Sequence, residues 1–202
     1  MDAIETLMNE HRTIERVLDA LVAFAEEVRR KGTTEKDELA RFVTFAREFA
    51  DARHHGKEEG VLFVAMTEHG FPRNGGPIAV MLTEHDQGRG LVRILKTRAE
   101  QPDPWSDGDR QEIADVAWGF AEMLRAHIQK EDAVLYPMAE QHLPPEALRR
   151  VGEDCEIFEA EGTRSGEHER LEALAEALVA RHAPTVHPSP QGPGPKGVGC
   201  CG

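Results

Sequence analysis

Two segments of this chain share a histidine-and-carboxylate motif with matching neighbours. The first reads HHGKEEGVLF from His54, and the second reads HIQKEDAVLY from His127. In each copy a histidine precedes a glutamate by four residues, His54 with Glu58 and His127 with Glu131, so both side chains lie on one helix face, a turn apart. One such pair is common on surface helices. Two copies with the same flanks indicate the carboxylate-bearing helices of a dinuclear metal site.

Two further histidines lie within apolar stripes of helical period. His11 stands in the stripe of Ile4, Leu7 and Ile14, and His85 follows Met81 by one helical turn. A buried imidazole needs a partner, because an unpaired buried polar group is costly. For one such histidine alone, a hydrogen-bonded core position is the favoured reading.

Apolar periodicity predicts the helices that must position these residues. Pro77 suits the first turn of the third helix, and Ser106 with Asp109 forms a cap for the fourth. Pro137 would kink or stop that fourth helix. The predicted helices cover residues 3–30, 35–67, 77–98 and a segment from 106, with a further helix or helix pair over 145–181.

The second helix carries two stripes that are both apolar enough to pack. Its periodicity therefore leaves open whether His54 with Glu58, or His55 with Glu59, faces the bundle centre. The match to the copy at His127 decides for His54 and Glu58.

The amino-acid composition and net charge suit an acidic helical protein. In 202 residues, 40% are hydrophobic and 30% charged, with a formal charge of −13, which argues against nucleic acid or an anionic membrane as a partner. No apolar stretch approaches the ~20 residues of a membrane span, and the start lacks the pattern of a signal peptide. Three cysteines make no disulfide framework. We expect a cytoplasmic protein.

We predict an all-α fold: an antiparallel up-down four-helix bundle with an extra C-terminal helix and a disordered tail. The expected domains are 1–142 for the bundle, 143–182 for a helical addition packing on it, and 183–202 for a Pro/Gly-rich tail.

Four imidazoles and two carboxylates in one bundle core would be unfavourable without a cation to coordinate. Such a mixed nitrogen and oxygen set suits iron, with manganese or zinc as substitutes. The predicted metal ligands are His11, His54, Glu58, His85, His127 and Glu131.

This pattern resembles the hemerythrin family and, more narrowly, the bacterial hemerythrin-like domains that bind cations through histidine and glutamate. The resemblance covers about residues 1–142. It implies a four-helix bundle with a non-haem di-iron centre, its two irons bridged by an oxo or hydroxo group. It also implies binding of O2 or nitric oxide, iron sensing, or repair of iron–sulfur centres.

Two positions depart from the oxygen-carrying members of that family. Met81 stands where they have an additional histidine, and their last carboxylate ligand corresponds to Asp132 rather than Glu131. Losing that histidine would leave open coordination positions on both metals. Met81 is a core-filling residue or, less favoured, a thioether ligand.

Other residues near the motifs are possible outer-sphere groups or spare ligands. His55 is expected to be a partly exposed neighbour, with a role at the metals as its alternative. Asp132 and Glu59 could orient metal-bound histidines, and Tyr136 could donate to a ligated carboxylate or simply pack. His168 could cover the site from the C-terminal helix.

Three functions remain open. The favoured one is a non-catalytic di-iron module that binds or senses O2, NO or iron. The second is a di-iron enzyme or repair factor that reduces peroxide or restores iron–sulfur centres. The third is a metal-free bundle with a hydrogen-bonded polar interior.

Overall fold

A computed structural model describes residues 3–164 and 166–182, without the side chains of 161–164. These residues contain six helices and no strand, and the all-α prediction is confirmed. We number the helices α1 (Ala3–Lys31), α2 (36–68), α3 (Gly76–Glu100), α4 (107–142), α5 (Pro145–Arg164) and α6 (Glu167–Arg181). The predicted tail and its cysteines, Cys200 and Cys201, lie outside the described residues.

The helix ends follow local chemistry. Gly32 ends α1 at φ 68°, a conformation that favours glycine. Ser106 and Asp109 form the predicted capping box at the start of α4. Of the two effects expected of Pro137, a kink or a stop, the stop does not occur: Pro137 lies in the first turn of a helical segment, Tyr136–His142, where its missing N–H is tolerated.

Three stretches of the motif helices have wider, π-helical turns with i to i+5 hydrogen bonds. They are Ala46–His55 and Glu58–Leu62 in α2 and Glu131–Leu135 in α4. The last two begin at the glutamate of each motif copy. Such turns are often found at functional sites, because they shift side chains away from the α-helical period.

The helices α1 and α4 meet in opposite chain order. On α1 and α4, Arg12 contacts Asp132, whereas the later Asp19 contacts the earlier Arg125. α6 packs on α1 and α2, and α5 contacts α1, the Glu58–Leu62 stretch of α2 and α6. None of the helices in the described part of the chain contains an apolar run of membrane-spanning length.

Two apolar clusters enclose a buried polar layer. One includes Phe24, Leu95 and Ile113, and the other includes Leu7 and Met66. All six predicted ligands lie at 0–1% exposure in the layer between. Electrostatic interactions there are little weakened by water.

Candidate metal centre

The four inner histidines form two facing pairs. The Nε2 atoms of His11 and His54 lie 2.9 Å apart, and those of His85 and His127 lie 3.1 Å apart. Each pair joins adjacent helices, so all four helices of the bundle contribute one imidazole.

A carboxylate holds the outer nitrogen of every one of these rings. For His54, His85 and His127, the Nδ1–H donates to an acid on the helix that precedes its own in the chain. His11, on the first helix, donates to an acid on α4, which completes the circle. The four bonds are His54 to Glu10 (2.8 Å), His85 to Glu59 (2.7 Å), His127 to Glu84 (2.9 Å) and His11 to Asp132 (2.7 Å). This carboxylate ring closes around the bundle. It fixes each histidine with Nδ1 protonated and Nε2 directed inward, the arrangement typical of metal-bound imidazoles.

Each acid of the carboxylate ring also binds one basic side chain. The pairs are Lys57 with Glu10, Arg89 with Glu59, Lys130 with Glu84, and Arg12 with Asp132. These cations keep the acids ionised as hydrogen-bond acceptors. The pKa of Glu59 is lowered to about 2, first by its bond to His85 and then by Arg89, against the effect of burial.

Glu58 and Glu131 lie between the two histidine pairs. Glu131 Oε1 is 3.1 Å from His127 Nε2, and its Oε2 is 3.3 Å from His11 Nε2. Glu58 Oε2 is 3.4 Å from His85 Nε2 and 3.8 Å from His54 Nε2. Both carboxylates therefore touch both histidine pairs, as bridging ligands would.

The centre of the layer contains buried polar atoms without hydrogen-bond partners. They are Glu58 Oε2, both carboxylate oxygens of Glu131, and His55 Nε2. Orphaned buried atoms of this kind are rare and costly, and coordination to a cation would satisfy all four. The residues present thus fit a metal ion.

Protons stabilise the metal-free arrangement. Burial alone would lower the pKa of His11, but the adjacent carboxylates of Asp132 and Glu131 prevail and raise it to about 9. The pKa of His85 rises to about 9 likewise, because the adjacent carboxylates of Glu58 and Glu59 outweigh its burial. One imidazolium in each pair then supplies the positive charge that the central glutamates require.

The expectation of a partly exposed His55 is wrong. It is buried, with 6% exposure, and its ring stacks on His85 at 3.8 Å between centroids. Desolvation lowers its pKa to about 4, so it is neutral and able to coordinate. It lies beside His54 at the end of the wide turns of Ala46–His55. Periodicity leaves either histidine as the inward one, and the structure buries both.

Two groups of side chains have ligand atoms close enough to hold one ion each, and Glu58 belongs to both. The groups are His11, His54, Glu58 and Glu131, and His55, Glu58, His85 and His127. All six predicted ligands are included, and His55 is added. Glu131 also reaches toward the second group, at 3.9 Å from His85 Nε2.

The remaining candidate residues fall into distinct places. Glu59 and Asp132 belong to the carboxylate ring, whereas Met81 packs in the apolar cluster with Leu7. His168 lies apart from both ligand groups, 3.4 Å from Glu159 and 3.2 Å from Glu172.

Sequence reasoning missed Glu10 and Glu84. The available signal was their position: each directly precedes a ligand histidine, in Glu10-His11 and Glu84-His85.

Tyr136 and Phe63 occupy equivalent positions in the two motif copies and break their symmetry. Tyr136 stacks on His11 at 5.5 Å and donates to Glu58 Oε1 at 2.6 Å. Phe63 stacks on His85 at 6.1 Å and has no hydroxyl to offer. The two halves of the site are therefore chemically distinct.

A helical bundle with inward histidines, two shared glutamates and a ring of orienting carboxylates defines a metal-binding bundle protein. The family model described as hemerythrin HHE cation binding domain matches residues 2–139. The chain belongs to this family. No curated protein and no solved structure gives a significant match to the chain.

Proposed function

We propose that this hemerythrin-like protein holds two iron ions and uses them to bind or sense a small diatomic ligand, O2 or NO, or iron itself. The observation that carries the proposal is the pair of ligand groups sharing Glu58, each supplied with inward Nε2 atoms by the carboxylate ring. Mixed imidazole and carboxylate donors suit iron, with manganese or zinc as substitutes.

The chain's own residues would set the properties of this site. His11, His54 and Glu131 would hold one ion, His55, His85 and His127 the other, with Glu58 between them. Bound iron supplies redox-active coordination positions for a diatomic ligand. The two apolar clusters limit water at these positions, since the enclosing side chains are at most a few per cent exposed.

Metal analysis and spectroscopy test the proposal together. After anaerobic iron loading and desalting, we expect two ions per chain and an absorption spectrum that changes on adding O2 or NO. Less than one ion per chain would defeat every di-iron function and favour a metal-free polar core. Two ions with a spectrum indifferent to both gases would defeat the diatomic-ligand proposal alone.

A di-iron enzyme or repair factor is the second candidate. A cavity of about 330 Å³ reaches His55 and His85, which is more room than a diatomic molecule needs. Steady peroxide turnover, or restored activity of a damaged iron–sulfur protein on mixing, would favour this candidate over the first.

A further inference from the structure

The cavity that reaches His55 and His85 lies between α2 and α3. Small residues line it where larger ones would fill the space, namely Ala46 and Ala50 on α2 and Gly88 on α3. Gly88 also meets α4 closely: a Cβ there would lie 3.3 Å from Met123 Cε and 3.6 Å from Phe120 Cε2. With Val92, Phe120 and Leu124, these residues give the cavity mostly apolar walls.

The wide turns of Ala46–His55 run along this cavity. Every α2 residue that lines it belongs to that stretch, ending at His55. Its Nε2 atom is buried without a hydrogen-bond partner, so the inner end of an otherwise apolar space is polar.

Helix register places two arginines at the outer end. Asp51 contacts Arg89, and His55, one turn later on α2, stacks on His85, one turn earlier on α3. Residue numbers therefore rise along α2 as those of the facing α3 residues fall. The same register sets Arg47 opposite Arg93, and both are exposed and line the cavity. From His85 to Arg93 the helix rises on the order of 12 Å.

The positive charge at this mouth is uncompensated. Among the described residues, neither Arg47 nor Arg93 has a carboxylate within ion-pair distance, in a chain of net charge −13. The acids that line the cavity are already bound: Asp51 to Arg89, and Glu84 to His127 and Lys130. Lys96, also at the mouth, pairs with the exposed Glu100.

We infer that this cavity binds a single-chain amphipathic carboxylate. Its head group pairs with Arg47 and Arg93, and its hydrocarbon chain runs past Ala50 and Gly88 toward the histidines. Consecutive sp3 carbons advance by roughly 1.25 Å, so a chain of about ten carbons spans the cavity. The site needs no bound metal, and its failure would leave the metal proposal standing.

Calorimetric titration of the full-length protein with decanoate, below its micelle concentration, tests the inference. Metal-free and zinc-loaded protein are compared in separate titrations. We expect saturable binding with one decanoate per chain in the metal-free form. Neutral decanol should bind at least about ten-fold more weakly, because it lacks the charge-assisted bonds to the arginines, and decyltrimethylammonium should not bind. Decanol binding as tightly as decanoate would overturn the charge-pairing argument.

Matched variants locate the site. Arg47→Glu and Arg93→Glu should each weaken decanoate binding at least about ten-fold, whereas Arg73→Glu, an equal charge change on an exposed loop residue, should leave it within about two-fold.

Ala50→Phe should abolish binding by filling the cavity, and Ala46→Leu, at a half-buried position, should weaken it if the Phe variant does not fold. Circular dichroism checks each fold. No binding by the unaltered protein, equal losses with Arg73→Glu, or unchanged binding in a folded cavity-filling variant would overturn the inference.

Discussion

The hydroxyl of Tyr136 donates to Glu58 Oε1 at 2.6 Å, although both residues are fully buried at the centre of the bundle. Desolvation and the charge of Glu58 raise the pKa of Tyr136 well above its usual value, so the phenol stays protonated and serves as a donor. It binds one oxygen of the carboxylate shared by both ligand groups and leaves Oε2 facing the histidines. Phe63, the equivalent residue of the first motif copy, leaves Glu131 without any such donor.

Replacing Tyr136 with Phe should weaken metal binding on the order of ten-fold, because Glu58 would lose the bond that orients it. Chelator competition on the zinc-loaded protein measures the affinity. The ring contact with His11 is kept, so folding should be preserved, as circular dichroism can check. Unchanged affinity would mean that Tyr136 contributes only packing.

Glu84→Gln should lower metal affinity between about ten-fold and a hundred-fold. The amide is nearly isosteric but lacks the charge that fixes the tautomer of His127 and raises its basicity. Glu169→Gln, at an exposed position of α6, is the matched control and should bind metal normally. Equal affinity for the two variants would show that the carboxylate ring does not support the ligands.

His55→Gln should reduce the zinc or iron content from two ions per chain toward one. The second ligand group would keep only His85, His127 and Glu58, and the amide is a poorer ligand than imidazole. His69→Gln, on an exposed histidine at the end of α2, provides the control. Full metal content in His55→Gln would remove His55 from the ligand set.

Much of this site could be predicted from the sequence, because the apolar stripes and the repeated motif agree. The apolar stripes place His11 and His85 inward, and the repeated motif selects His54 over His55 by analogy. The structure brings all six predicted ligands together and ends α1 and α3 within about two residues of the expected positions. Periodicity works well here because α1 and α3 are regular α-helices.

The errors come from departures from that regularity and from contacts between helices. His55 ends a stretch with i to i+5 bonding, which changes the angular position of successive residues, so His54 and His55 are both buried where the analogy between the motif copies selects only His54. Glu10 and Glu84 lie beside the apolar stripes of their helices, and the periodicity of a single helix predicts solvent-exposed side chains at such positions. Their role depends on which neighbouring helix supplies the histidine, and only the three-dimensional packing of the bundle reveals that helix.

Metal loading should release protons, and stability should depend on pH in the metal-free form. Folded pKa values near 9 for His11 and His85 exceed the unfolded value of about 6.5. Both are protonated at pH 7.5 and must lose a proton to coordinate through Nε2. Metal affinity should therefore rise from pH 7 to 9, with proton release measured by titration calorimetry in buffers of different ionisation enthalpy.

The same groups stabilise the metal-free protein fully below pH 6.5, and this contribution is lost as pH rises through 9. Its thermal unfolding temperature should fall over that range, whereas that of the zinc-loaded protein should not, since metal replaces the protons. A metal-free protein with constant stability from pH 6.5 to 10 would contradict the raised pKa values.

The C-terminal helices should also influence the site through Lys57. Its side chain is completely buried, and its ammonium binds Glu10 of the carboxylate ring and Glu159 of α5, whereas its counterpart Lys130 is 42% exposed. Glu159 also pairs with the buried Arg53, so Glu159→Gln would remove one carboxylate partner from two buried cations where water cannot replace it. We expect a loss of about 1–3 kcal/mol in the free energy of unfolding.

Weaker metal binding should accompany that loss, because Lys57 holds Glu10, the residue that orients His54. Glu153→Gln, which breaks an exposed pair with Arg149 on the same helix, should change stability by less than about 0.5 kcal/mol. Urea unfolding of both metal-free variants and chelator competition with the zinc-loaded forms make the comparison. If Glu159→Gln loses stability but keeps full metal affinity, α5 acts only as a structural support. If it loses both, a residue beyond the family match at 2–139 contributes to the properties of the metal site.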